Sequence, residues 1–349
     1  MKSVLPFSSK SDISDLSALV QHELQYPLSS LQRVVQRLSS GQFGQLSGEV
    51  NHLLAAAMID IERLTRLANA FEARPSVLSA LLSLDQVRLL RLKQDLPSAI
   101  NNKEIYLVYQ PIVCNNANTV YGFEALARWQ HPTYGTISPT IFMPLVEESS
   151  FIHQLGQQLI TEACQQLSQW QSLSYPSQSL TMSVNLSAMQ LSQLSLANHV
   201  ETMLNTIQID PNSLKFEITE SALVENSEVT TTVLQKLKRL GVQLHLDDFG
   251  TGYSALSRLK ALPLNALKID RSFVANKNWD ICEIIHALAE KLDLNVIVEG
   301  IETQDDVHKL NTIGFRYMQG YFFSQPLQVE AAEAFLSNFQ AVSNPPIKT

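Results

Sequence analysis

The fold that this sequence predicts is α/β: a (β/α)8 barrel of the TIM type with an irregular first hairpin, preceded by an all-α helical hairpin. Three observations predict it. Beyond Ile105, eight short apolar segments alternate with amphipathic helical stretches. Acidic residues recur where those segments end. Before residue 76 the apolar residues recur only at steps of three and four, the period of a helix.

The chain has 349 residues, enough for a large barrel and a small appendage. A hydrophobic fraction of 45% with 17% charged residues places it among globular proteins and excludes a disordered one. A net charge of -8 argues against a nucleic-acid-binding face, which would need clustered Lys and Arg. It leaves room for a small anionic ligand held by a few basic groups and metal ions. Cys114, Cys164 and Cys282 are odd in number and far apart, so neither a disulfide framework nor a zinc cluster is expected, which suits a cytoplasmic location. No secretory signal and no run long enough to cross a bilayer is found.

Residues 1–76 read as a helical hairpin. Leu16, Val20, Leu24, Leu28, Leu31, Val35 and Leu38 form one stripe, and glycines at 41, 44 and 48 break it. Val50, Leu53, Leu54, Ala57, Ile61, Leu64, Leu67 and Phe71 form a second, which ends at Pro75. A lone αα-hairpin buries little, so two copies are expected to pair as a four-helix bundle and the chain to be a homodimer. The stretch His22-Glu23-Leu24-Gln25-Tyr26-Pro27-Leu28 resembles the phosphoacceptor box of the histidine-kinase dimerisation domain. His22 sits about 200° round the helix from Val20 and from Leu24, so it faces away from the stripe. Gln25-Tyr26 replaces the usual Arg-Thr, and the length that follows is taken up by the barrel. The segment is therefore expected to dimerise or receive a signal, with His22 as the phosphoacceptor candidate and a histidine kinase or response regulator as the implied partner. A metalloprotease reading of His22-Glu23 fails, because Tyr26 stands where the second histidine is needed. Residues 77–103 read as a helical connector.

The barrel is expected over 104–340, with 341–349 as a tail. Its strands are expected near Tyr106–Val113, Val120–Trp129, Leu180–Leu186, Leu214–Thr219, Gln243–Asp247, Ala266–Asp270, Asn295–Glu299 and Tyr317–Phe323. Helical stretches such as Ile141–Trp170, Thr230–Leu240, Trp279–Lys291 and Thr303–Ile313 lie between them. Only a short polar turn separates the first two strands, so they form a hairpin. An open doubly wound sheet is the competing fold. Gly250-Thr-Gly252-Tyr-Ser-Ala255 mimics its dinucleotide fingerprint, and Asp270 follows at the right distance. Asp247 and Asp248 would however set negative charge beside a pyrophosphate, and Pro263 leaves little room for the fingerprint helix.

Barrel active sites are built at the C-terminal ends of the strands. Those ends carry Glu124, Asn185, Glu217, Asp247, Asp248, Lys268, Glu299 and Gln319. A lone strand-end carboxylate is most often a solvated surface residue. Five carboxylates converging on one face would repel each other unless cations compensate, and oxygen donors of this kind suit hard divalent ions. Two such ions about 3.5–4 Å apart make a site for in-line displacement at phosphorus.

Tyr109-Gln110-Pro111-Ile112, Glu124-Ala125-Leu126-Ala127-Arg128-Trp129, Asn185-Leu186-Ser187 and Glu217-Ile-Thr-Glu220 carry a more specific likeness. So do Asp247-Asp248-Phe249-Gly250-Thr251-Gly252, Lys268-Ile269-Asp270, Glu299-Gly300-Ile301-Glu302 and Gln319-Gly320-Tyr321. In this order and spacing they resemble the EAL-domain phosphodiesterases of cyclic di-GMP, over roughly residues 84–335. The resemblance implies hydrolysis of cyclic di-GMP to linear pGpG with two Mg²⁺ or Mn²⁺ ions. It implies Glu124, Asn185, Glu217 and Asp247 as ligands of the first ion, and Asp247, Asp248 and Glu299 as ligands of the second. Lys268 then orients the attacking water and Glu299 is the proposed base, with Arg128 on phosphate and Gln110 and Gln319 on substrate. Glu220 is similar to the residue that holds the Asp248–Ser254 loop. Ala127 and Ile301 depart from the commonest family residues, outside the chemistry. A catalytically idle receptor of cyclic di-GMP is the alternative, and so is a scaffold whose docking depends on His22. The complete ligand set favours the enzyme, regulated through the N-terminal bundle.

Overall fold

The polar link after Cys114 is too short for a crossover, so the first two strands can only run antiparallel. They do: β1 (Ile105–Cys114) pairs along its whole length with β2 (Thr119–His131). The computed structural model describes residues 27–38, scattered positions between 50 and 65, 84–115, 118–149, 151–173, 180–220, 222, 228–250, 259 and 262–343, the side chains of 340–343 excepted. His22 and residues 251–258 of the glycine loop lie outside the described residues.

After β2 and the short β3 (Gly135–Ile137) come β4 (Thr181–Leu186), β5 (Leu214–Thr219) and β6 (Gln243–Phe249). Then follow β7 (Ala266–Ile269), β8 (Asn295–Val298) and β9 (Tyr317–Met318). The hydrogen-bonded order is β1-β9-β8-β7-β6-β5-β4-β2-β3, and the β1–β2 pairing closes eight of the nine into a barrel. Pairings from β2 and β4 round to β8 and β9 are parallel, and β1 is antiparallel to both neighbours. All eight expected strands are present. β3 is an addition that hangs on the far end of β2.

Parallel strands need crossovers, and helices supply them in the connections that are described in full. The helix Phe151–Ser172 buries Ile152, Leu155, Leu159, Ala163, Leu167 and Trp170, a stripe with steps of three and four. Trp170 packs its ring against Tyr109 at 4.9 Å and Phe123 at 4.8 Å between centroids. The outward-facing Met182, Phe216, Leu244 and Leu267 are fully buried (0%) beneath the helical layer. Each such side chain stabilises the fold by about 1.5–3 kcal/mol.

Two expected elements differ. The stretch Ile141–Trp170 is two helices, Pro139–Glu147 and Phe151–Ser172. The Ser149 hydroxyl breaks it, donating to the Val146 carbonyl at 2.7 Å and accepting from the Phe151 N–H at 3.2 Å. The last strand was expected to reach Phe323 but stops at Met318. There the chain turns, with Phe323 N–H on the Gly320 carbonyl at 3.1 Å. Gly320 packs so close to Ile301 that a Cβ would lie 2.2 Å from its carbonyl oxygen.

The chain divides into two compact units, Met1–Ser98 and Ala99–Thr349. The second starts ahead of the barrel boundary expected at 104, because Ala99 and Ile100 are buried and the Glu104 N–H bonds to the Ala99 carbonyl at 2.9 Å. In the first unit, Leu28, Val35 and Ile61 form a small core with Leu54, Ala57 and Met58. Among the described residues, no helix is long and apolar enough to cross a membrane.

Candidate active site

Every strand of the closed ring sends one polar side chain toward the same mouth. Gln110 comes from β1, Glu124 from β2, Asn185 from β4, Glu217 from β5, Asp247 from β6 and Lys268 from β7. Glu299 and Gln319 follow directly on β8 and β9. Strand alternation explains the set, since the neighbours Phe123, Val184, Phe216, Leu246 and Ile269 point outward into the apolar layer.

Adjacent aspartates should by the same rule face opposite ways. A bulge resolves this. β6 pairs Leu246 with Leu267 and then Phe249 with Ile269, so Asp247 and Asp248 together face only Lys268. Asp248 takes the left-handed backbone conformation, φ 55°. Both aspartates thereby line one open cleft of about 350 Å³, with Gln110, Glu124, Arg128, Asn185 and Glu299.

At the centre stands the Lys268 ammonium. It lies 2.5 Å from Glu217 Oε2, 2.7 Å from Glu299 Oε1, 3.2 Å from Asp247 Oδ1 and 3.5 Å from Glu124 Oε2. Glu124 also accepts from Asn185 Nδ2 at 2.8 Å and from Gln319 Nε2 at 2.7 Å. Gln319 Nε2 reaches Gln110 Oε1 at 3.1 Å, and Gln110 donates onward to the Ser324 carbonyl at 3.2 Å. Gln110 and Gln319 are thus tied to the carboxylates as well as placed along the cleft. Arg128 donates to the Ala127 carbonyl at 2.8 Å and lines the rim.

Protonation follows from burial and from this one shared cation. Burial works against the Lys268 charge, yet Asp247, Glu124, Glu217 and Glu299 hold its pKa well above the ordinary lysine value. Burial alone would raise Glu124, but Lys268 and the bonds from Gln319 and Asn185 bring it below the usual range. Glu217 is pushed well up, first by burial and then by Glu124, against the pull of Lys268. Burial raises Asp248, with Asp247 adding to it. Lower in the barrel, burial lowers Lys215 to about 7 and keeps His245 well below its ordinary value, so positive charge at the cluster falls to Lys268.

Glu299 is pushed up to about 7, chiefly by burial, with Lys268 opposing and Asp247 and Glu124 adding to the rise. Its folded pKa therefore lies above the ordinary carboxylate value of 4.5. The associated stability is present in full below that ordinary value and is lost as pH rises through the folded one. In chelator, the wild-type melting temperature is expected to fall more steeply between about pH 5 and about pH 8 than that of Glu299→Gln. Equal slopes would contradict the burial of this carboxylate.

Repulsion among the acidic residues was expected to require metal, but the structure supplies a counter-ion of its own. Among the described residues, no three His, Cys, Asp or Glu side chains stand ready as a ligand set. Of the expected ligands, Glu124, Glu217, Asp247 and Glu299 surround the lysine nitrogen instead, while Asn185 bonds to Glu124 and Asp248 lines the cleft. The donors nevertheless fit hard divalent ions: all are oxygens, and buried Glu217 Oε1 has no hydrogen-bond partner among the described residues. The Glu220 carboxylate is buried with neither oxygen hydrogen-bonded to a described residue. Asp270, Arg271, Glu302 and Tyr321 also line the cleft and were not among the expected site residues. Asp270, Glu302 and Tyr321 belong to the family-like motifs, whereas Arg271 carries no signal.

Residues 93–326 match the EAL domain family model. The chain is 40% identical over 248 residues to the oxygen sensor protein DosP of Escherichia coli, covering 70% of this chain and 31% of that protein. It is 37% identical over 265 residues to the cyclic di-GMP phosphodiesterase NbdA of Pseudomonas aeruginosa, covering 74% of this chain and 34% of that protein. The chain thus spans about a third of the length of these curated relatives. A solved structure of the PaMucR phosphodiesterase in complex with c-di-GMP superposes with a TM-score of 0.66 at 35% identity, over 69% of this chain and 99% of that one.

Proposed function

This chain belongs to the EAL-domain family, and from that premise we propose that it hydrolyses one phosphodiester bond of cyclic di-GMP to release linear pGpG. The observation that carries the reading is the ring of Glu124, Asn185, Glu217, Asp247, Lys268 and Glu299 at one barrel mouth, with Arg128 on its rim. Glu124, Asn185, Glu217 and Asp247 would hold one Mg²⁺ or Mn²⁺, and Asp247, Asp248 and Glu299 a second. Bound there, the ions supply a water of lowered pKa and stabilise charge developing on phosphorus.

The chain's own groups do the rest. The Arg128 guanidinium suits two phosphoryl oxygens at once, as a planar fork. Gln110 and Gln319 orient the nucleotide, and their bond to each other keeps both amides facing the cleft. Lys268 holds the carboxylates together and donates to the attacking water, while Glu299 takes up its proton. The water oxygen joins phosphorus, the P–O bond to the ribose 3′-oxygen breaks, and that oxygen takes a proton from solvent to leave as a hydroxyl. Glu220 positions the Asp248–Ser254 loop.

The N-terminal segment serves as the control element in this reading, pairing with its copy in a homodimer. Leu31 and Val34 (53% and 51% exposed) offer an apolar face outside the small core, at the spacing of one helix side. His22 is its phosphoacceptor candidate, with a histidine kinase or response regulator as the partner class, and the cytoplasm is the compartment that suits the reduced cysteines. One experiment tests the whole: cyclic di-GMP with Mg²⁺, Mn²⁺ or chelator, using the full chain and one lacking residues 1–80. Metal-dependent release of pGpG is expected, with a changed rate or oligomeric state on truncation. Binding without turnover in either metal would leave the idle receptor instead. Truncation without effect on rate or assembly would remove the control role.

A further inference from the structure

The cleft has two arginines. Arg128 lies on β2, and Arg271 begins the helix Arg271–Ala275 just after β7. Round the closed ring, β2 and β7 are four strands apart in either direction. The two residues therefore stand on opposite sides of the mouth, with the Lys268 cluster between them.

Arg271 is exposed, and its side chain makes no hydrogen bond or ion pair with another described residue. That is unusual in so acidic a cleft, whose rim also carries Asp248, Asp270 and Glu302. The backbone beneath it is firmly placed. Gly300 has φ 74°, and a Cβ there would lie 2.4 Å from Arg271 Cβ, so the loops after β7 and β8 pack directly on each other. Buried Asp306 joins the same two loops. It pairs with Lys277, which follows the Arg271 helix, and accepts from the Thr303 N–H at 3.0 Å and the Glu302 N–H at 3.4 Å. A cation on a rigid base, without a hydrogen bond or ion pair to another described residue and across the mouth from a second arginine, suits a ligand with two separated anionic groups.

We propose that Arg271 is a specificity residue that binds the second, uncleaved phosphodiester of a cyclic dinucleotide while the first lies at the carboxylate cluster. This rests on the phosphodiesterase reading and names the feature of the substrate that the site measures. Asp306 and Lys277 are its positioning residues. A substrate with a single phosphodiester gains nothing from Arg271, whereas one with two gains a charge-assisted pair.

The test compares cyclic di-GMP with bis(4-nitrophenyl) phosphate, which has one phosphodiester, in the full chain with Mn²⁺. Arg271→Ala is expected to lower kcat/KM for cyclic di-GMP about tenfold more than for the single diester, mainly through KM. Arg271→Lys should recover part of the loss, since the charge stays and the fork goes. Equal losses on both substrates, or no loss on either, would overturn the assignment while leaving the parent reading intact. If the wild-type chain cleaves neither substrate, the parent reading fails, and this one fails with it.

Discussion

In chelator at about pH 8, Lys268→Met is expected to lose about 3–5 kcal/mol of folding stability, the range for breaking a buried charge network by removing one partner. The reason is geometric. One ammonium lies within 3.5 Å of an oxygen from each of Glu124, Glu217, Asp247 and Glu299. Without it these four carboxylates have no ion-paired cation among the described residues, and in chelator they can escape repulsion only by taking up protons. The deficit should therefore shrink toward about pH 5, where those protons are available. Added Mg²⁺ or Mn²⁺ should restore stability by binding the folded form alone. Urea unfolding of wild type and variant, in chelator and in metal, measures all three effects. A variant as stable as wild type in chelator at the higher pH would mean that the lysine is not the counter-ion of the cluster.

Asp247→Asn is expected to reduce kcat for cyclic di-GMP by about 10³-fold or more. Asp247 is the one carboxylate assigned to both proposed ions, so its loss removes several kcal/mol of stabilisation of transition-state charge. The amide keeps the side-chain volume while removing the charge and one acceptor oxygen, so the fold, the Arg128 rim position and the Gln319 bonds should persist. Cyclic di-GMP affinity measured by calorimetry in chelator should stay within a few-fold of wild type. A variant that keeps wild-type turnover would refute the assignment of Asp247. One that loses binding and turnover in parallel would make it a substrate contact instead.

The strands were legible because each is a short apolar run bounded by turn residues, and the order strand, helix, strand leaves few topologies. The helix break at Ser149 was not, since a serine inside a helical stretch is ordinarily tolerated and only its bonds to Val146 and Phe151 reveal it as a stop. The end of β9 depended on the close approach of Gly320 to Ile301, a contact between the segments that follow two paired strands, which no local sequence pattern marks. Arg271 was not legible for a related reason. A single arginine after Asp270 has no period or spacing to mark it, and its place opposite Arg128 exists only once the ring has closed.

What the residue order determined alone was local: the eight strands, the alternation that turns one polar side chain per strand inward, and the motifs that identify the family. These depend on neighbours within a few positions, where side-chain direction follows from the backbone period. What only the tertiary structure decided was where charges meet. The bulge that brings Asp247 and Asp248 to one cleft and the lysine at the centre of four carboxylates arise from pairing and closure. So does the arginine across the mouth. Coulomb interactions act on distances in space, and those distances appear only when the barrel shuts.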